Sequence, residues 1–278
     1  MHDPVYVERH GHRTWLKWHR GRRRGSDPVF TGQRILEGME AGASVEVDLV
    51  VTGDRGFAVL HNLELSAETT GTGLVAQTRD ADLRQLHLRD NTGLPIPDKV
   101  MLLDDLCALM ASGALHPDAL LQLDYKEDET VLDAAALANF ARAARPVARN
   151  LILSSGSAKA IAMLAAGVPG IQIGFDPSDE ARVNAARDTG RHADFVADTL
   201  AAAPDADLIY LYWQIPLLFA DDGFDIIAAF HAAGKRVDAW TIARVDADAI
   251  LNVERLLALK VDQITTDDPE SLAQALNA

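Results

Sequence analysis

Only one cysteine, Cys107, stands among the 278 residues. No internal disulfide can form, so no disulfide framework holds this chain. Its setting, Leu102-Leu103-Asp104-Asp105-Leu106-Cys107-Ala108-Leu109, reads as a buried structural thiol. Long apolar runs are missing too: none reaches the roughly 18 residues needed to span a bilayer. The stretch Met1 to His10 has no apolar signal core, and the expectation is a soluble, cytoplasmic protein. Positive charge is scarce. Lys and Arg number 26 against 41 Asp and Glu, a net −15. That argues against nucleic acid as a partner, because a phosphate backbone calls for a basic surface. It leaves room for a small anion held by a local basic cluster or a bound cation. No strand is followed by G-x-G-x-x-G, so a dinucleotide site has no support.

What the chain has is an apolar content of 48%, ample for a core, and a repeating pattern. Strands are expected at 14–19, 45–51, 119–125, 150–155, 170–175, 207–213, 236–242 and 262–266. Helices are expected at about 31–41, 103–113, 129–147, 157–166, 178–188, 222–233, 246–259 and 269–277. Alternating strands and helices imply a parallel sheet with right-handed crossovers. Eight such pairs in about 250 residues imply a closed (β/α)8 TIM barrel, with an open doubly wound sheet as the other arrangement. The whole chain, 1–278, reads as one domain. An insertion after the second strand, about 62–102, reads as irregular. Asp80 to Leu86 is a short helix there, and Pro95-Ile96-Pro97 is read as preventing regular structure.

Barrel active sites lie at the C-terminal ends of the strands, and polar residues gather there. In the second strand, Glu46 and Asp48 are two apart and project to one face, away from Val45, Val47 and Leu49. Thr52-Gly53-Asp54-Arg55-Gly56 reads as a turn, and the return over Phe57–Leu60 delivers His61 near the acid pair. With Asp124 from the third strand, the acids make an all-oxygen set suited to Mg2+, Ca2+ or Mn2+. The same acids could instead pair with Arg20 and Lys126 as an ion network. His19 and His61 suit general acid and base work near neutral pH. Arg20 and Lys126 suit an anion such as phosphate. Arg22, Arg23 and Arg24 read as a solvated loop or a second anionic subsite. Trp240, at a strand end, and Tyr212 are candidate walls of a substrate pocket. His10 and His12 have a metal-like spacing on the N-terminal segment; His87, His116, His192 and His231 read as surface.

The ordered set His19-Arg20-Gly21, Glu46-x-Asp48, Thr52-x-Asp54-x-x-x-x-Val59-x-His61, Thr69-x-Gly71-x-Gly73, Asp124-x-Lys126, Trp240-Thr241 and Thr266-Asp267 resembles the glycerophosphodiester phosphodiesterase family. The resemblance spans about 15–268 and is strongest over 44–106. It implies a (β/α)8 barrel, a divalent cation, commonly Mg2+ or Ca2+, and cleavage of a small-molecule phosphodiester to a phosphomonoester and an alcohol. By motif match it implies Glu46, Asp48 and Asp124 as metal ligands, His19 and His61 as the acid–base pair, and Arg20 and Lys126 on phosphate. The chain departs from the family in four places. Asp27-Pro28-Val29-Phe30-Thr31 replaces a Pro-Glu-Asn-Thr stretch. Asp124 replaces a glutamate, Asn62 follows the second histidine in place of aspartate, and the 22–24 loop is unusually basic. These changes bear on the substrate, with a sugar phosphodiester such as an agrocinopine-type opine as a variant expectation. The other readings are an aldolase with Lys126 as Schiff base, and a non-catalytic binder of phosphorylated ligands.

Overall fold

The computed structural model describes residues 4–9 and 11–277. Eight parallel strands close on themselves: β1 (His12–Trp18), β2 (Ser44–Val51), β3 (Leu120–Tyr125), β4 (Leu151–Ser154), β5 (Gln172–Phe175), β6 (Leu208–Tyr212), β7 (Arg236–Ile242) and β8 (Gln263–Thr266). Closure runs from β8 to β1 through Gln263↔Trp15 to Thr266↔Trp18, and from β1 to β2 at Trp18↔Val45. Helices intervene between the strands, so the sheet is a (β/α)8 barrel and not an open doubly wound one. Two antiparallel additions flank it: Tyr6–Arg9 on β1, and Phe57–Val59 on β2. The second is the hairpin return that carries the chain to His61.

All eight residues of β2 are buried, which requires two different buried environments. Val45 meets the helix Gly32–Ala41 at Gly38. That side of the strand is apolar, each such side chain stabilising by about 1.5–3 kcal/mol. Glu46 and Asp48 take the barrel side. Register then aligns the chemistry: Asp48 pairs with Asp124 and Asp124 with Ser154, while Glu46 pairs with Gln122 one layer below. Parallel neighbours at matched register point the same way, so three strands bring these groups together.

Several boundaries differ from the sequence reading. Pro95–Lys99 is a strand, antiparallel to His87–Arg89. It lies in a two-stranded sheet of its own, where a proline without N–H is tolerated at an edge. The helix expected at 222–233 is confined to Ile226–Ala232, and an unexpected helix, Gln214–Asp221, precedes it, the two separated at Gly223, whose φ of 85° favours glycine. A helix not expected, His192–Ala202, follows Gly190. It buries His192 against Phe219 and Phe224, with Nε2 3.1 Å from Asp222, so this histidine is not at the surface. The expected helix 129–147 is confined to Ala134–Ala144, capped by Asp133 and followed by a 3₁₀ turn containing Pro146. Cys107 is buried, and burial pushes its thiol up to about 12. His10 lies outside the described residues.

Gly174 in β5 makes room for a pocket wall. A Cβ there would meet the Tyr210 ring at 2.2 Å, and Tyr210 is 2% exposed with nowhere to retreat. Gly174→Ala is expected to destabilise by about 1–3 kcal/mol through overpacking, read as a lower denaturant midpoint at unchanged slope.

Candidate active site

The C-terminal mouth of the barrel opens into a cavity of about 210 Å3. His19, Arg20, Glu46, His61, Gln122, Asp124, Lys126, Asp176, Tyr210 and Trp240 are among the residues lining it. Glu46, Asp48 and Asp124 each offer a carboxylate oxygen, and these oxygens lie within 4.8 Å of one another. Glu46 and Asp48 are buried, at 4% and 0% exposure. Lys126 Nζ lies 2.5 Å from Asp124 and 2.7 Å from Asp48, and Arg20 Nε lies 3.2 Å from Asp48. The ion network and the all-oxygen cluster are therefore one arrangement. Even so, both oxygens of Asp48 are buried without a well-formed hydrogen bond. Buried carboxylate oxygens held through ion pairs, at a point where three carboxylates converge, fit a hard divalent cation.

The acids repel one another's charge. Burial first, then the neighbouring Glu46, push Asp48 up to about 7, against the pull of Lys126 and Arg20. Glu46 is raised for the same leading reason, burial. Folding thus takes up a proton that the unfolded chain releases near its ordinary carboxylate pKa. Where the folded state binds more protons, stability falls as pH rises. The metal-free protein should lose stability between about pH 4 and 7 on account of Asp48. Asp48→Asn removes this charge, so it should raise the melting temperature of the metal-free protein more at pH 8 than at pH 5. Equal changes at the two pH values would contradict the assignment.

Arg20 follows β1 in a left-handed conformation, φ 54°, rare for a side chain of this size. That turn aims its N–H at Glu46, 2.8 Å away, while its guanidinium reaches Asp48. His19 is held from behind. Its Nδ1 is 2.5 Å from Asp267, and Nε2 faces Glu46 at 3.9 Å. A carboxylate on one ring nitrogen fixes the tautomer and the ring plane. Burial lowers the His19 pKa despite Asp267. His61 is also lowered by burial, but its ring makes no hydrogen bond among the described residues. Its backbone N–H and that of Asn62 both donate to Glu68, at 3.0 Å each. Glu68 comes from the segment between Phe57–Val59 and Leu103–Ser112 and is 8% exposed. It also faces Arg20 at 3.9 Å.

The two pocket candidates part company. Trp240 lines the cavity, its indole Nε1 buried without a partner, and its peptide bond to Thr241 is cis. Tyr212, the last residue of β6, is 38% exposed, its ring 5.4 Å from Trp240, and it does not line the cavity. Tyr210, two residues earlier on the same face, takes that place. The 22–24 loop is not a free basic patch. Arg22 pairs with Asp267, Arg23 with Glu37 and Glu270, and Arg24 with Glu270.

Sequence reasoning passed over Glu68, Asp176 and the support of Asp267 for His19. Asp267 stood in the motif, but its partner was set only by barrel closure. Asp176 lines the cavity at the end of β5, pushed up to about 6 by burial. No local spacing marked it.

A closed barrel with an acidic, oxygen-rich centre ringed by imidazole, guanidinium and ammonium groups has the make-up of a candidate site for an anionic ester. The chain belongs to the glycerophosphoryl diester phosphodiesterase family, whose model matches residues 19–271, and is a phosphoric diester hydrolase of that kind. No curated protein matches its sequence directly. Among solved structures it is similar to an Oleispira antarctica phosphodiesterase in complex with the product sn-glycerol-3-phosphate. That match has 20% identity, covers 95% of this chain and 96% of the other, and has a TM-score of 0.66. A glycerophosphodiester phosphodiesterase candidate from Galdieria sulphuraria has 18% identity, coverages of 95% and 98%, and a TM-score of 0.72. The Thermotoga maritima glycerophosphodiester phosphodiesterase has 16% identity, coverages of 97% and 100%, and a TM-score of 0.64. Identities this low speak to the fold. Among the described residues no helix is long and apolar enough to cross a membrane.

Proposed function

We propose that this chain cleaves glycerophosphodiesters to a phosphomonoester and an alcohol in the cavity at the barrel mouth, as one domain carrying its insertion at about 62–102. The observation that carries the reading is the convergence of Glu46, Asp48 and Asp124 within 4.8 Å, in a cavity shared with His19, His61, Arg20 and Lys126. Glu46, Asp48 and Asp124 would hold a divalent cation, Mg2+ or Ca2+, with Mn2+ as a working substitute. When bound, it supplies positive charge against the charge that grows on phosphate oxygens.

The protein's own groups do the rest. Arg20 and Lys126 bind the phosphate and share that load. Lys126 stays protonated, since two carboxylates outweigh the effect of its burial and hold its pKa above the usual value. A Schiff-base lysine needs the opposite shift, so the aldolase reading loses its nucleophile. His19, braced by Asp267, and His61, held by Glu68 through its backbone, divide the two proton transfers: one takes a proton from the attacking oxygen, the other gives one to the leaving alkoxide. Trp240 forms a wall for the alcohol.

The Oleispira antarctica enzyme holds sn-glycerol-3-phosphate as its product, which supports glycerol phosphate as the half retained here. An agrocinopine-type sugar phosphodiester would have drawn on the 22–24 arginines, and these are paired with acids. The test is a panel of glycerophosphodiesters, sugar phosphodiesters and bis(p-nitrophenyl) phosphate, followed by 31P NMR. Glycerol phosphate from a glycerophosphodiester supports the reading, and a cyclic phosphate would identify a substrate hydroxyl as the nucleophile. A panel in which only sugar phosphodiesters turn over would replace the proposed substrate, and no turnover at all would favour the non-catalytic binder.

A further inference from the structure

Beneath the cavity floor lies a fully buried lysine that the chemistry above does not use. Lys17 and Asp238 are both 0% exposed and 2.9 Å apart. Thr265 Oγ1 donates to Asp238, and the Tyr210 ring lies 4.2 Å from Lys17 Nζ. From Lys17 a chain of hydrogen bonds runs upward. Lys17 Nζ donates to Gln122 Oε1. Gln122 Nε2 donates to Ser154 Oγ at 2.8 Å, and Ser154 Oγ donates to Asp124 Oδ1 at 2.6 Å. Ser154 is 0% exposed and Gln122, at the cavity edge, is 6% exposed, so these bonds are largely shielded from bulk water.

The polarity of this chain has one solution. An ammonium has only hydrogens to give, so Gln122 must turn its carbonyl to Lys17. Its amide N–H can then only donate, and Ser154 must accept it. The single hydroxyl proton of Ser154 is left for Asp124. Three donations in one direction reinforce one another in a dry interior.

We propose that Lys17, Gln122 and Ser154 form a one-way positioning relay that locks the Asp124 carboxylate for cation binding. Oδ1 is fixed from the neighbouring strand by Ser154, and Oδ2 lies 2.5 Å from Lys126. The need is physical. The terminal torsion of an aspartate is broad and roughly two-fold, and an unbraced Asp124 would swing away from Glu46 and Asp48. Outer groups that orient a ligand are typically worth about 10–100-fold in metal affinity.

The inference rests on the proposal that Glu46, Asp48 and Asp124 bind a cation. It is tested by Mn2+ titration of the whole protein, by calorimetry or electron paramagnetic resonance. The proteins are the wild type, Ser154→Ala, Gln122→Leu and the double variant, with the melting temperature of each metal-free protein as the fold check. Ser154→Ala deletes one hydroxyl and keeps the backbone and its neighbours. Each single change should weaken Mn2+ binding by about 10-fold or more. The double variant should be no weaker than the weaker single, because a serial relay is lost once it is cut anywhere. Wild-type affinity in folded Ser154→Ala, or effects that add in the double, would overturn the relay. A wild type that binds no Mn2+ would overturn the cation reading itself.

Discussion

Stripping divalent cations with EDTA should abolish turnover, and adding back Mg2+, Ca2+ or Mn2+ should restore it. This is the largest effect expected of the protein. Without a cation, the negative charge that Glu46, Asp48 and Asp124 carry when ionised faces an anionic phosphodiester, with Arg20 and Lys126 beside it in partial compensation. At about 4 Å and an effective dielectric near 20, each like-charge pair costs about 4 kcal/mol. Binding and rate should both collapse. The cation should also stabilise the fold. A ligand at 100 times its Kd adds about 2.7 kcal/mol to the unfolding free energy, visible as a melting temperature that rises with cation concentration. Full activity in EDTA, with no thermal shift on adding cation, would sink the assignment of the three acids.

Replacing His19 or His61 with alanine should lower kcat by roughly 10²-fold or more, with a much smaller change in KM. Both imidazoles face the cavity, and both are shifted by burial toward the neutral form. A neutral imidazole can accept a proton at neutral pH, and its partner, once protonated, can return one. The two replacements should differ in their pH profiles. His19 sits on Asp267, whereas the His61 ring has no hydrogen-bond partner among the described residues, so the acidic limb left after His61→Ala reports the braced histidine alone. Near-normal turnover in both variants would remove the histidines from the chemistry. Arg20 offers no substitute, because a guanidinium does not release its proton in this range.

The acid pair was legible because strand periodicity is local: side chains two apart share a face whatever the rest of the chain does. The turn at Thr52–Gly56 was legible for the same kind of reason, and it placed His61. The barrel was legible from eight alternations, since few architectures accommodate them. The prolines at 95 and 97 misled because a missing N–H matters only where a neighbouring strand needs it, and that depends on which edge faces outward. The basic loop misled because its charge was counted without its partners. Glu37 sits on the helix that follows the loop, and Asp267 and Glu270 lie far along the chain and meet Arg22, Arg23 and Arg24 only in the closed barrel.

By itself, the sequence determined the period of each strand, the order of the strands, the residue types at their C-terminal ends, and with them the class of chemistry. Tertiary structure alone decided the pairings between strands: Asp48 beside Asp124, Asp267 behind His19, Glu68 beneath the His61 turn, and Lys17 below Gln122. Periodicity is set by backbone sterics over a few residues, whereas register and closure are set by packing across the whole barrel. A buried charge such as Lys17 is tolerated only where that packing supplies its partner.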